Sequence, residues 1–154
     1  MVRQPDGLKS GEPSLVELWD ALKATGEALA SDPIGSGTSQ LTNLQRRLDQ
    51  ILSAVENAQL RFILFFLSVF IDDMKYNFVG DFPFCDKTSE GFQLRDKFLR
   101  DLGGTLAQIS GELADCSYAA CTTLAANITD RYLVTIKAMN AKHPIAGQDH
   151  KHVS

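Results

Sequence analysis

Residues 38–79 contain neither glycine nor proline, and an apolar seam runs through most of that stretch. Its positions are Leu41, Leu44, Leu48, Ile51, Val55, Ala58, Phe62, Phe65 and Val69, spaced alternately by three and four. Such spacing returns to one side of an α-helix every two turns, the signature of coiled-coil-like packing. It predicts one continuous helix over residues 41–76, roughly 55 Å long at ~1.5 Å per residue. A helix of that length is not held by intrinsic propensity and needs a neighbour of similar length. The stretch therefore directs the chain toward an all-α fold.

The character of this segment changes near Asn57. Before it, the faces away from the seam carry Gln45, Arg46, Arg47, Asp49, Gln50 and Glu56. After it, Leu60, Ile63, Leu64, Phe66, Leu67, Phe70 and Ile71 make nearly every face apolar. The first half reads as amphipathic, whereas the second must be surrounded by neighbours or covered by a partner.

Further helices flank this segment. Ser14 and Glu17 match a capping box, and Leu15, Leu18, Trp19, Leu22 and Leu29 share one helical face behind it. Pro33, Gly35 and Gly37 close that helix. Gly80 and Pro83 break the chain again, and apolar periodicity resumes at Phe92, Leu94, Phe98, Leu99 and Leu102. Gly103-Gly104 reads as a break or hinge, with Thr105 and Gln108 placed to cap a fresh helix. That helix carries Leu106, Ile109, Leu113, Cys116 and Ala120, then slips register to Leu124, Ile128, Tyr132, Thr135 and Met139. It ends before His143-Pro144. The predicted architecture is an elongated antiparallel bundle of about four helices, two of them long. Residues 1–13 read as a flexible arm, 14–142 as one helical domain and 143–154 as a flexible tail.

Composition narrows the functional classes. With 44% hydrophobic and 22% charged residues the chain is in the ordinary globular range. A net charge of −4 offers no general attraction to nucleic acid or anionic lipid. The most apolar run, residues 60–71, is about twelve residues long against the roughly 20 that a membrane span needs. The polar N-terminus carries no apolar leader, and three cysteines, an odd number in no regular framework, read as free thiols. Together these point to an intracellular, reducing compartment.

Candidate chemistry is sparse. His143, His150 and His152 all fall in the predicted tail, and there is no Glu-x-x-His pair, so neither a metal centre nor a cofactor is expected. Cys116 and Cys121 point about 140° apart on a helix, poor geometry for a shared metal. Without a histidine in the folded body, a nucleophile lacks its usual base. Gly35-Ser36-Gly37-Thr38-Ser39 precedes a helix N-terminus, where backbone donors can bind anions, but no P-loop lysine follows. Arg46-Arg47, beside Asp49, reads as a solvated face. Asp72-Asp73, with Lys75 or Arg95 as partner, is the remaining candidate for acid–base work.

The aromatic distribution is more informative. All nine phenylalanines lie between Phe62 and Phe98, with Tyr76 among them. Phe62, Phe66, Phe70, Tyr76, Phe78, Phe82 and Phe84 form the candidate partner interface. The reading that follows is a non-enzymatic helical protein that self-associates or docks into a larger protein assembly through this Phe-rich end. Two alternatives stand beside it: a bundle that binds an apolar ligand, a lipid or a hydrophobic surface, and an enzyme using Asp72 and Asp73.

Overall fold

Leu15, Leu18, Trp19, Leu22 and Leu29 are all buried and make the inner face of the first helix, α1 (Leu15–Ser31). The computed structural model describes residues 15–78 and 89–142, and every structural statement below refers to these. The predicted arm, tail and main connecting loop, together with Ser14 of the capping box, lie outside the described residues. Four more helices follow: α2 (Thr38–Leu52), α3 (Ala58–Phe78), α4 (Ser89–Ala114) and α5 (Tyr118–Lys142). There is no strand among the described residues, so the expected all-helical class stands.

A single π-helical turn, Pro33–Gly37, links α1 to α2. The Asp32 carboxylate accepts from the Gly35 and Ser36 backbone N–H groups at 3.3 and 3.0 Å. Those hydrogen bonds, led by the one from Ser36, hold its carboxyl below the usual value.

The predicted 55 Å helix is not formed. The chain leaves helical geometry over residues 53–57 and restarts at α3. Asn57 is the physical reason: its side-chain oxygen accepts from Leu60 N–H at 2.9 Å, an N-cap that satisfies an otherwise orphaned donor. Ala54 and Val55 fill the corner, both buried. Beyond it α3 folds back along α2. Ser68 Oγ donates to Asp49 at 2.6 Å, and Lys75 Nζ donates to Gln45 at 2.9 Å. Earlier residues of α2 thus meet later residues of α3, which makes the pair an antiparallel hairpin.

Two further breaks differ from expectation. Gly103-Gly104 lies inside α4 and interrupts nothing. The interruption comes instead at residues 115–117, where Cys116 adopts φ 58°. Ser117 N–H donates to Glu112 C=O at 2.8 Å and Cys116 N–H to Leu113 C=O at 3.0 Å. This is the Schellman arrangement, with cysteine where glycine is usual.

The principal packing pair is α1 with α4, not two long helices. Ser110 Oγ donates to Trp19 C=O at 2.8 Å, and the Arg100 guanidinium donates to Ala30 C=O near the other end of α1. The helices therefore run antiparallel. Between those contacts Gly26 meets Gly103: a Cβ on Gly26 would lie 2.5 Å from Gly103 O and 3.0 Å from Ala107 N. Gly26 with Ala30, and Gly103 with Ala107, form small-residue pairs four apart that let two backbones touch. Helix α5 returns antiparallel to α4, with Arg131 bonded to Asp101 at 2.6 Å and the Cys121 thiol against Ile109 C=O at 3.9 Å. It lies parallel to α3, whose Asp73 meets Tyr132. The result is a five-helix assembly rather than one built on two long helices.

Candidate functional site

Two stripes of α3 compete for the interior, and the buried one is Leu60, Ile63, Leu64, Leu67, Phe70, Ile71, Met74 and Phe78. The seam continued from α2 falls on the other side. Phe62, Phe65 and Val69 are 65%, 55% and 52% exposed, and Tyr76 is 60% exposed. The expectation that Phe62, Phe65 and Val69 belong to an internal seam is thereby corrected. The capped restart at Asn57 breaks the register, so residues seven apart across it no longer share a face. Leu41, Leu44, Leu48 and Ile51, before the break, and Val55, within it, are buried as expected.

Beside the exposed stripe lies an open cleft of about 320 Å³ between α3 and α5. Phe62, Ile63 and Phe66 form one wall, and Ala125, Ala126 and Thr129 the other. The small α5 side chains leave the aromatic wall uncovered. Leu133, further along α5, is also exposed.

The predicted interface residues do not form one group. Phe62 and Tyr76 are exposed, and Phe66 is half-buried against the core. Phe70 and Phe78 are buried within this chain. Phe82 and Phe84 lie outside the described residues. Phe65 and Val69 were missing from the predicted set, although their three-and-four spacing with Phe62 marks the same face.

Phe70 and Phe78 instead surround Tyr132. The Tyr132 ring sits 5.3 Å from Phe70, 5.6 Å from Phe78 and 5.6 Å from Phe98, centroid to centroid. Its hydroxyl donates to the Asp73 carboxylate at 2.7 Å and accepts from Asn77 Nδ2 at 2.5 Å. Burial, reinforced by the neighbouring Asp73 carboxylate, pushes the phenol above the ordinary tyrosine value. A tyrosine whose ring is apolar-packed and whose hydroxyl reaches a polar rim locks α3 to α5. Arg95, nearly buried, stacks 4.9 Å over Phe92 and donates to Phe78 C=O at 2.9 Å, capping the C-terminal end of α3.

The other candidates are dispersed. Asp72 is exposed, Asp73 is engaged by Tyr132, Lys75 by Gln45, and Arg95 by Phe78. The structure does not gather them into one cluster. The glycine turn before α2 directs its donors at Asp32, so an internal carboxylate already occupies that anion position. The histidines fall outside the described residues, and no group of three potential metal ligands occurs among the described ones. Cys121 is buried and Cys116 exposed. Burial, with a smaller contribution from the Glu112 charge, pushes the Cys121 thiol up to about 11.

No described helix is long and apolar enough to cross a membrane. Comparison with protein-family models, with curated proteins and with solved structures finds no match for this chain.

Proposed function

We propose that this chain is a non-enzymatic interaction module that docks into a protein assembly through the outer face of α3. The observation behind this reading is the exposed stripe of Phe62, Phe65, Val69 and Tyr76 at heptad spacing. Isolated apolar residues are ordinary on a protein surface, but Phe62, Phe65 and Val69 are exposed together on one face of one helix. Large aromatic side chains are also the usual anchors of protein interfaces. Heptad spacing is the geometry a helix presents to a second helix, so the matching partner surface is helical. The adjoining cleft favours a second reading, in which Phe62, Phe66, Ala125 and Ala126 seat a small apolar ligand.

Hydroxyl-radical footprinting of the full chain tests the docking reading. Phe62, Phe65 and Tyr76 are expected to label readily in dilute purified protein and to become protected when the partner surface is present. Labelling that stays at its dilute level at high protein concentration and in cell extract would sink it. Protection produced by added fatty acid, and not by protein, would favour the ligand reading instead.

A further inference from the structure

We infer that the helix that covers α3 belongs to a second copy of this chain, packed antiparallel about a twofold axis level with Leu67, a placement that rests on the docking reading above and adds the partner's identity and orientation. The exposed face runs Ala58, Phe62, Phe65, Val69, Asp72, Tyr76, a three-and-four series with one carboxylate in it. Antiparallel pairing about Leu67 sets Phe65 of each copy against Val69 of the other. It sets Ala58, the smallest member of the face, against Tyr76, the largest at the opposite end. Large against small at both ends is the complementarity a helix pair needs to close.

Charge selects the same orientation. Arg61 stands near the start of α3, and Asp72 and Asp73 near its end. Both Arg61 and Asp72 are exposed, and no ion pair joins either to another described residue. Antiparallel pairing sets Arg61 of each copy level with Asp73 of the other and one residue along from Asp72, which is itself level with Phe62. Asp72 sits in the apolar stripe itself, where a carboxylate is costly unless a cation meets it. Parallel pairing would instead place Asp72 beside Asp72, Arg61 beside Arg61 and Tyr76 against Tyr76. A charge in a seam that is satisfied in only one alignment specifies that alignment. The helix dipoles, opposed in the antiparallel pair, add to the preference.

Size sets the strength. The 21 residues of α3 span about 31 Å, and one such helix pair lies below the roughly 800 Å² per partner of a standard stable interface. With one helix from each copy in contact, the expected dissociation constant is in the micromolar range.

Sedimentation velocity on the full chain, from about 1 to about 200 µM, tests this. The expected result is a reversible monomer–dimer equilibrium within that range. Arg61→Glu and Asp72→Arg are each expected to weaken it by roughly tenfold, because twofold symmetry makes each change act at two places. The double variant Arg61→Glu/Asp72→Arg restores the opposite charges between positions 61 and 72, while Asp73 is left unreversed, and is expected to bind more tightly than either single variant, recovering most of the lost affinity. Both sites are exposed, so circular dichroism of each variant should match the parent. A monomer throughout the range, or a dimer indifferent to the single reversals, would overturn the inference. Footprinting separates that failure from failure of the docking reading. Protection of Phe65 that grows with the chain's own concentration supports the second copy. Protection that appears only with other proteins present removes the second copy and keeps the docking face. Labelling unchanged under both conditions removes both.

Discussion

Tyr132 shows how one side chain ties local chemistry to the whole. Three phenylalanine rings from α3 and α4 enclose its ring, while its hydroxyl reaches Asp73 and Asn77 at the surface of α3. Tyr132→Phe keeps the ring and loses the hydroxyl, and is expected to cost about 1 kcal/mol at neutral pH. Its pH behaviour is more specific. The folded-state value is raised, so the fold binds the phenolic proton more tightly than the unfolded chain does. That contribution is complete below the unfolded value of 10.0 and is lost as pH rises through the higher folded one. Cys121 acts in the same direction, with its contribution lost between 9.0 and about 11. Thermal unfolding should thus be insensitive to these two groups near neutrality and fall in temperature above pH 9. In Tyr132→Phe the part of that fall above pH 10 should be shallower. An equal slope in both proteins would refute the assignment. Cys116 offers a second test. It holds a left-handed conformation that costs an ordinary residue roughly 1–2 kcal/mol, partly offset because glycine loses more chain entropy. Cys116→Gly should raise stability by about 0.5 kcal/mol in urea unfolding, and a loss of stability would count against the Schellman turn.

At the scale of elements, what could be read from the sequence depended on whether the deciding interaction was local. The inner faces of α1 and α2 follow from three-and-four spacing alone, and so does the Ile128, Tyr132, Met139 face of α5. The boundaries at residues 31, 38, 89 and 142 also followed, but the breaks at residues 53–57 and 115–117 did not, because neither is marked by glycine or proline. Residues 53–57 contain no glycine or proline, and the Asn57 cap is one ordinary-looking polar side chain. The turn at Cys116 uses cysteine in glycine's place. Gly103-Gly104, conversely, resembles a breaker yet serves a crossing that only the fold reveals. The two glycines are chemically identical neighbours with opposite surroundings. A Cβ on Gly103 would run into Gly26 O and stand 2.8 Å from Ala30 N, while one on Gly104 would meet nothing within 4 Å. Gly104→Ala should therefore stabilise by about 0.5–1 kcal/mol through helix propensity and unfolded-state entropy. Gly103→Ala gains the same propensity but must push two backbones apart, and should destabilise by about 1–2 kcal/mol net. Urea denaturation of the two variants decides it. If both stabilise, α1 and α4 are not in backbone contact at that point.

At the scale of the molecule, the remaining question is which side of α3 faces inward. An apolar helix face is ambiguous in sequence when two stripes both satisfy helical spacing. The stripe through Phe62, Phe65 and Val69 extends the α2 seam, and the stripe through Leu60, Leu64, Leu67 and Ile71 does not. Continuity favours the first, whereas the corner at Asn57 resets the rotation and buries the second. The choice bears on the proposed docking, because it leaves Phe62 and Phe65 exposed while Phe70 and Phe78 are buried. It also has a direct energetic consequence. Leu64 is fully buried, so Leu64→Ala should cost about 2–5 kcal/mol through lost burial and a residual cavity. Phe65 is the next residue and larger, yet Phe65→Ala should change the stability of the monomer by no more than about 0.5 kcal/mol. The comparison must be made at low micromolar concentration, where a weak association contributes little to apparent stability. At higher concentration the parent should gain stability and Phe65→Ala should not, since only the parent keeps an intact outer face. If Phe65→Ala is instead as damaging as Leu64→Ala in dilute protein, α3 is rotated the other way. The face proposed for docking would then be core.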